Sequence, residues 1–344
     1  MRRSFYMLKK RKVIIDCDPG IDDSLALMLA LASPELEVVG ITIVCGNVPA
    51  NLGAENALKI LERMNRLDIP VYLGAEQPLK RDYISAQDTH GMDGMGETHY
   101  PKAQQGQILA KGADFMVQSL LKAEDESLSI IALGPLTNIA QALQKNQQAF
   151  KKIDRLVSMG GSFKSHGNCS PVAEYNYWCD PDAAQYVFEK IGEIGKKIEM
   201  VGLDVTREIV LTPSLLSYIK RINPEKGTFV ESIVQFYFDF HWEYEGIIGC
   251  VINDPLAVAY FIDSKICQGF EAFTTVETQG IAIGQSIVDA MDFWKKDKNS
   301  LVMTVVDQMA FFEMFISRIF GGDPNQIHCM LKTLGAFDQR GGRD

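Results

Sequence analysis

The sequence predicts an α/β fold: a single domain with a mainly parallel central sheet flanked by helices, plus extra antiparallel strands towards the C-terminus. Two observations carry that reading. Short β-branched runs alternate with amphipathic stretches as far as Val201, the pattern of strands joined by crossover helices. The polar residues with chemical potential gather just after the predicted strands, on what a parallel sheet makes one common edge.

Strands are read at Val13–Asp16, Val38–Val44, Val71–Leu73, Leu128–Ala132, Arg155–Ser158 and Glu199–Val201. Helices are read at Asp22–Ala32, Pro49–Met64, Lys111–Lys122, Pro135–Lys145, Asp182–Lys190 and Pro213–Ile219. Thr228–Glu245 and Asp254–Phe261 follow as helices. Strands at Phe273–Glu277, Ile283–Val288 and Leu301–Val305 precede a final helix at Asp307–Ile319. From Gly74 to Gln107 there is little periodicity, and so long a structureless segment reads as a lid or a binding loop. Its Gly-Met repetition suggests mobile, adaptable packing. Residues 1–11 read as a basic leader and residues 12–344 as the folded domain.

The bulk properties narrow the function. The chain has 344 residues and is 47% apolar, with 34 Lys and Arg against 44 Asp and Glu. A formal charge of −10 argues against a nucleic-acid partner. Seven scattered cysteines, odd in number, read as reduced thiols of a cytoplasmic protein. No apolar run approaches a membrane span.

The most informative stretch is VIIDCDPGIDDS, Val13–Ser24. A buried strand runs into a tight turn and then a helix, and Asp16, Asp18, Asp22 and Asp23 fall within eight positions. One helix needs only one cap. Carboxylates this crowded repel one another unless a cation or a bound polyol compensates, and hard oxygen ligands suit Ca²⁺ or Mg²⁺. Asn47 follows the second strand, Leu133–Asn138 the next informative one, and Met159–Gly161 the one after. The loop HGNCSPVAEYNYWCDPDAA (166–184) adds Asn168, Glu174 and Asn176, groups able to fork hydrogen bonds onto vicinal hydroxyls. Asp254 precedes Pro255 at the start of a helix, where a lone Asp reads as an N-cap.

Together DCDPGIDD, CGN, ALGPLTNIA, SMGG, GN…VAEYN…DPDAA and NDPLAVAY resemble, in order and spacing, the inosine-uridine-preferring nucleoside hydrolases. The likeness runs from about Lys12 to Ile319. It implies calcium-dependent hydrolysis of the N-glycosidic bond of ribonucleosides, with one Ca²⁺ per subunit, a homodimer or homotetramer, and a role in nucleoside salvage. It implies that Asp18 is the general base and a calcium ligand. Asp23, Asp254 and the Leu133 backbone carbonyl complete the metal set. Asp22 would hold the ribose 2′-hydroxyl, and Asn47, Asn168, Glu174 and Asn176 would grip the sugar, with Met159 packing nearby. Asp16 would support the turn, and His90 would lie over the nucleobase.

One position departs from that pattern. Asn253 stands where the best-known branch has a histidine before the last calcium-binding Asp. Asn cannot deliver a proton near neutral pH, and general-acid help is worth about 10²–10⁴ in rate. His90 or His241 could take that part, aromatic residues such as Trp242 and Tyr244 could clamp the departing base, or Asn253 could bond an unusual base. Two other readings stay open. A riboside-binding protein without turnover would fit the missing histidine. An aspartate-nucleophile phosphatase would use Asp16 as nucleophile and Asp18 as acid/base with Mg²⁺, although Pro-Gly leading into a helix departs from that motif.

Overall fold

Val13, Ile15 and Cys17 belong to one buried apolar cluster and Ile14 to another. Alternate side chains of a strand point to opposite faces, so this strand has a core on each side. The structure, a computed structural model, describes residues 10–334. Its strands are β1 Arg11–Cys17, β2 Leu36–Ile43, β3 Val71–Leu73, β4 Ile108–Leu109, β5 Leu128–Ala132, β6 Ile153–Met159, β7 Ile198–Val201, β8 Val210–Leu211, β9 Cys250–Val251, β10 Cys267–Val276, β11 Ser286–Asp289 and β12 Ser300–Val306. Ten form one sheet in the order β11-β10-β12-β7-β6-β5-β1-β2-β3-β4; β8 and β9 pair separately. The pairs from β4 across to β12 are parallel, and β10 is antiparallel to both β11 and β12.

The chain steps outward from β1 through β2 and β3, then returns to β1's other side with β5. That reversal opens a crevice at the carboxyl ends of β1 and β5, the usual ligand position in such sheets. The helix Ile21–Ala32 is buried from Ile21 to Ala30 because it lies between the sheet and the helices Asn253–Ile262 and Gln308–Phe320.

The differences from the sequence reading are local. β1 begins at Arg11, whose guanidinium donates to the Phe261 and Ile262 carbonyls at 2.7 Å each. Residues 1–9 of the expected leader lie outside the described residues. The helix Gln308–Phe320 is not the last, since Pro324–Thr333 follows, capped by Asp323. The strand read at Ile283–Val288 is shifted: a 3₁₀ turn occupies Gly280–Ala282 and β11 runs Ser286–Asp289. The segment from Gly74 contains a helical turn, Gln87–His90, and is pinned down. Asp93 accepts the backbone N–H groups of Met95, Glu97 and His99, and Asn56 ties the Pro19 and Asp93 carbonyls together.

Candidate active site

β1 delivers Asp18 to the turn, and Pro19-Gly20 leads into the helix at Ile21. Asp23 holds this turn closed: Oδ1 accepts the Asp18 N–H at 3.1 Å, and Oδ2 accepts the Gly20 N–H at 3.0 Å and Asn47 Nδ2 at 2.8 Å. The next helical N–H, on Ile21, goes to His90 Nδ1 at 3.1 Å. Asp16 points elsewhere. Its Oδ1 accepts from Thr42 at 2.5 Å and from Asn138 at 2.8 Å. Its Oδ2 is buried without a partner, so Asp16 supports the strand end through one oxygen.

Asp18 is fully buried. Its Oδ2 accepts the Asn47 N–H at 2.6 Å, and its Oδ1 has no hydrogen-bond partner. Two glycines leave room for it: a Cβ on Gly134 would come within 2.4 Å of Oδ1. Asp254 is brought alongside by the helix Asn253–Ile262. Carboxylate oxygens of Asp22, Asp23 and Asp254 lie within 4.8 Å of one another, an acidic cluster able to hold a metal ion. Asp18 is not one of those three oxygen donors, but it adjoins them through the Asp23 bond. Asp22, expected on the ribose, is part of the cluster.

Burial pushes Asp18, Asp23 and Asp254 towards their neutral forms, and repulsion from neighbouring carboxylates adds to it. Asp23 is raised to about 6, by burial first and then by Asp22. Asp18 rises well above the usual range, by burial and then Asp23; Asp254 does so by burial and then Asp22. A divalent ion would supply the missing counter-charge. An all-oxygen donor set with an orphaned Asp18 oxygen fits a hard cation.

The expected sugar-binding groups surround a cavity of about 400 Å³. Asn176 Nδ2 donates to the Leu133 carbonyl at 2.7 Å, the Met159 carbonyl at 3.2 Å and Met159 Sδ at 3.4 Å, which leaves its oxygen for a ligand. Asn168 Oδ1 accepts the Tyr175 N–H at 2.9 Å, which leaves its amide nitrogen. Asn47 gives its Nδ2 to Asp23, which leaves Oδ1. Glu174 caps the helix Tyr175–Cys179, accepting from Asn176, Tyr177 and Gly161, and burial holds its carboxyl near about 7.

His90 and His241 both line the cavity and are buried. His241 Nδ1 donates to the Tyr237 carbonyl at 2.8 Å, so Nε2 is the nitrogen left for a ligand. Burial lowers both imidazoles from their ordinary value. Tyr244 lines the cavity; Trp242 does not, and it is 62% exposed. Asn253 turns to Asp22, donating through N at 3.3 Å and Nδ2 at 3.2 Å.

A family model described as "Inosine-uridine preferring nucleoside hydrolase" matches residues 13–313. The chain belongs to this family. As a nucleoside hydrolase it is an N-glycosyl hydrolase. The chain is 35% identical over 309 residues to the "Pyrimidine-specific ribonucleoside hydrolase RihA" of Klebsiella pneumoniae, covering 89% of this chain and 97% of that one. It also matches the structure of a purine-preferring ribonucleoside hydrolase from Gardnerella vaginalis, with TM-score 0.84, 32% identity and coverage of 90% and 98%. A plant nucleoside hydrolase, PpNRh1, matches with TM-score 0.84 and 30% identity, covering 91% and 99%.

Sequence reasoning missed several groups in or beside this hydrolase's cavity. The Tyr83 and Tyr175 hydroxyls both donate to the Gly46 carbonyl, at 2.8 and 2.7 Å, fixing the turn that carries Asn47. Arg207 and Glu245 also line the cavity. The signal for Arg207 was a cation in LDVTRE, six residues beyond the strand that ends at Val201.

Proposed function

We propose that this nucleoside hydrolase is calcium-dependent and cleaves ribonucleosides to free base and ribose with inversion at the anomeric carbon. One observation supports this above others: four carboxyls, Asp18, Asp22, Asp23 and Asp254, are buried together, and none of them has a lysine or arginine ion-pair partner among the described residues. Asp18, Asp23, Asp254 and the Leu133 carbonyl would hold the ion. Bound there, calcium supplies polarisation of a water and of the ribose diol.

The chain's own residues do the rest. Asp18 takes the proton of the attacking water through the oxygen that lacks a partner. Asp22, steadied by Asn253, holds the 2′-hydroxyl. Asn47 and Asn176 present oxygens, and Asn168 an amide, to the remaining hydroxyls. Glu174 and the aspartates stabilise the positive charge that develops on the sugar. His90 and His241 face the base as hydrogen-bonding groups. Five of the seven cysteines are buried and none is paired, which supports a cytoplasmic setting. No helix among the described residues is long and apolar enough to cross a membrane. Exposed Ile281, Met291 and Phe293 near edge strand β11 support a homo-oligomer.

The test is a panel of purine and pyrimidine nucleosides with reducing-sugar detection, run on wild type and Asp18→Ala. Sugar release by wild type and none by D18A is expected. Intact nucleoside bound without turnover by either would return the protein to the riboside-binding reading.

A further inference from the structure

One wall of the cavity carries a group that this reading leaves unused. Arg207 follows the short helix Leu203–Thr206 and is the one lysine or arginine lining the cavity among the described residues. Its guanidinium is held on two sides: Nη1 donates to Glu245 Oε2 at 2.8 Å and Nη2 to the Gly167 carbonyl at 3.0 Å. Its Nε–H is buried without an acceptor. Glu245 lies one turn beyond His241 on the helix Pro224–Glu245, so the two share a face. The charges of Glu245 and Arg207 both act on the His241 imidazole. Arg207 therefore stands on the side of the cavity that would face the base.

Breaking the N-glycosidic bond leaves an electron pair on the base, and an unprotonated base departs as an anion. Asn253 has no acidic proton to give. His90 uses Nδ1 to accept the Ile21 N–H, so its ring carries hydrogen on Nε2 and offers a hydrogen bond rather than a proton.

We propose, building on the hydrolase reading, that Arg207, held in its ion pair with Glu245, is a leaving-group residue: it donates a hydrogen bond to the carbonyl oxygen of an oxo-substituted base and so stabilises the negative charge that develops there. The C1′–N bond breaks with both electrons passing to the base, while a C1′–O bond forms to water. The water's proton goes to Asp18. The base leaves as the anion paired with Arg207 and takes a proton from solvent after release. A permanent cation with planar, directional donors suits this task.

The test compares wild type, Arg207→Gln and Arg207→Lys on inosine and on p-nitrophenyl riboside, whose phenolate leaves with little help. R207Q is expected to lower kcat for inosine about 10²–10³-fold, at least about tenfold more than for the nitrophenyl riboside, and R207K to recover part of the loss. Nitrophenyl release by R207Q reports that the variant folds; if it does not fold, the same contrast is read from R207K. Equal losses on both substrates, or no loss on either, overturn the proposal. Wild type inactive on both substrates would instead refute the hydrolase reading itself.

Discussion

Gly46 backs directly onto Asp18. A Cβ at Gly46 would come within 1.9 Å of Asp18 Oδ2, closer than any real contact. The Gly46 carbonyl is meanwhile held by two tyrosine hydroxyls, so the backbone cannot easily retreat. Gly46→Ala is therefore expected to displace the Asp18 carboxylate. Activity on nucleosides should fall at least about 10²-fold, with a stability loss of about 1–3 kcal/mol. Steady-state kinetics and a urea melt check both.

The buried acids make metal-free stability fall as pH rises. Asp16 and Glu174 are raised to about 7 and Asp23 to about 6, all chiefly by burial. An acid whose folded pKa is raised binds its proton more tightly in the folded state. Its contribution is present below the unfolded pKa, near 4, and is lost as pH rises through about 6–7. The metal-free protein should therefore melt at lower temperature at pH 8 than at pH 5. Calcium bound as proposed would oppose this by holding the ionised carboxyls, so its stabilisation should be larger at pH 8. Thermal melts with and without calcium at both pH values decide it; a Tm that rises with pH in chelator would contradict it.

Asn253 steadies Asp22 through two donors. Asn253→Ala leaves the carboxylate cluster and the backbone N–H donor but removes Nδ2, which loosens Asp22. KM for a nucleoside should rise about tenfold, more than kcat falls, since a lost hydrogen bond to a charged group is worth about 1.5–3 kcal/mol. A variant with unchanged KM would show that Asp22 needs no such support.

The two histidines should separate. His241→Ala removes a cavity-lining group and should raise KM for nucleosides while leaving thermal stability close to wild type. His90→Ala also strands the Ile21 N–H in a buried helix start, at a cost of about 1–3 kcal/mol. Melts and kinetics on both variants read the difference.

Much of this site was legible in the sequence because one strand, one turn and one helix carry it. DCDPGIDD needs only local geometry to bring its carboxylates together. Asp254 was recoverable from its family motif, but not from spacing, since 231 residues separate Asn253 from Asp22. The two-residue strands β4, β8 and β9 were not legible, because distant partners create them and local propensity does not. Glu174 shows a related limit: the sequence did not reveal that it also caps a helix with both oxygens. Arg207 and Glu245 meet only through tertiary packing, 38 residues apart.

The most direct measurement is nucleoside hydrolysis by protein stripped with a calcium chelator, then titrated with Ca²⁺, alongside Asp254→Asn treated identically. Loss of activity on stripping, recovery with one equivalent of calcium per chain, and no comparable recovery by D254N are expected. Full activity in the stripped protein would contradict the account.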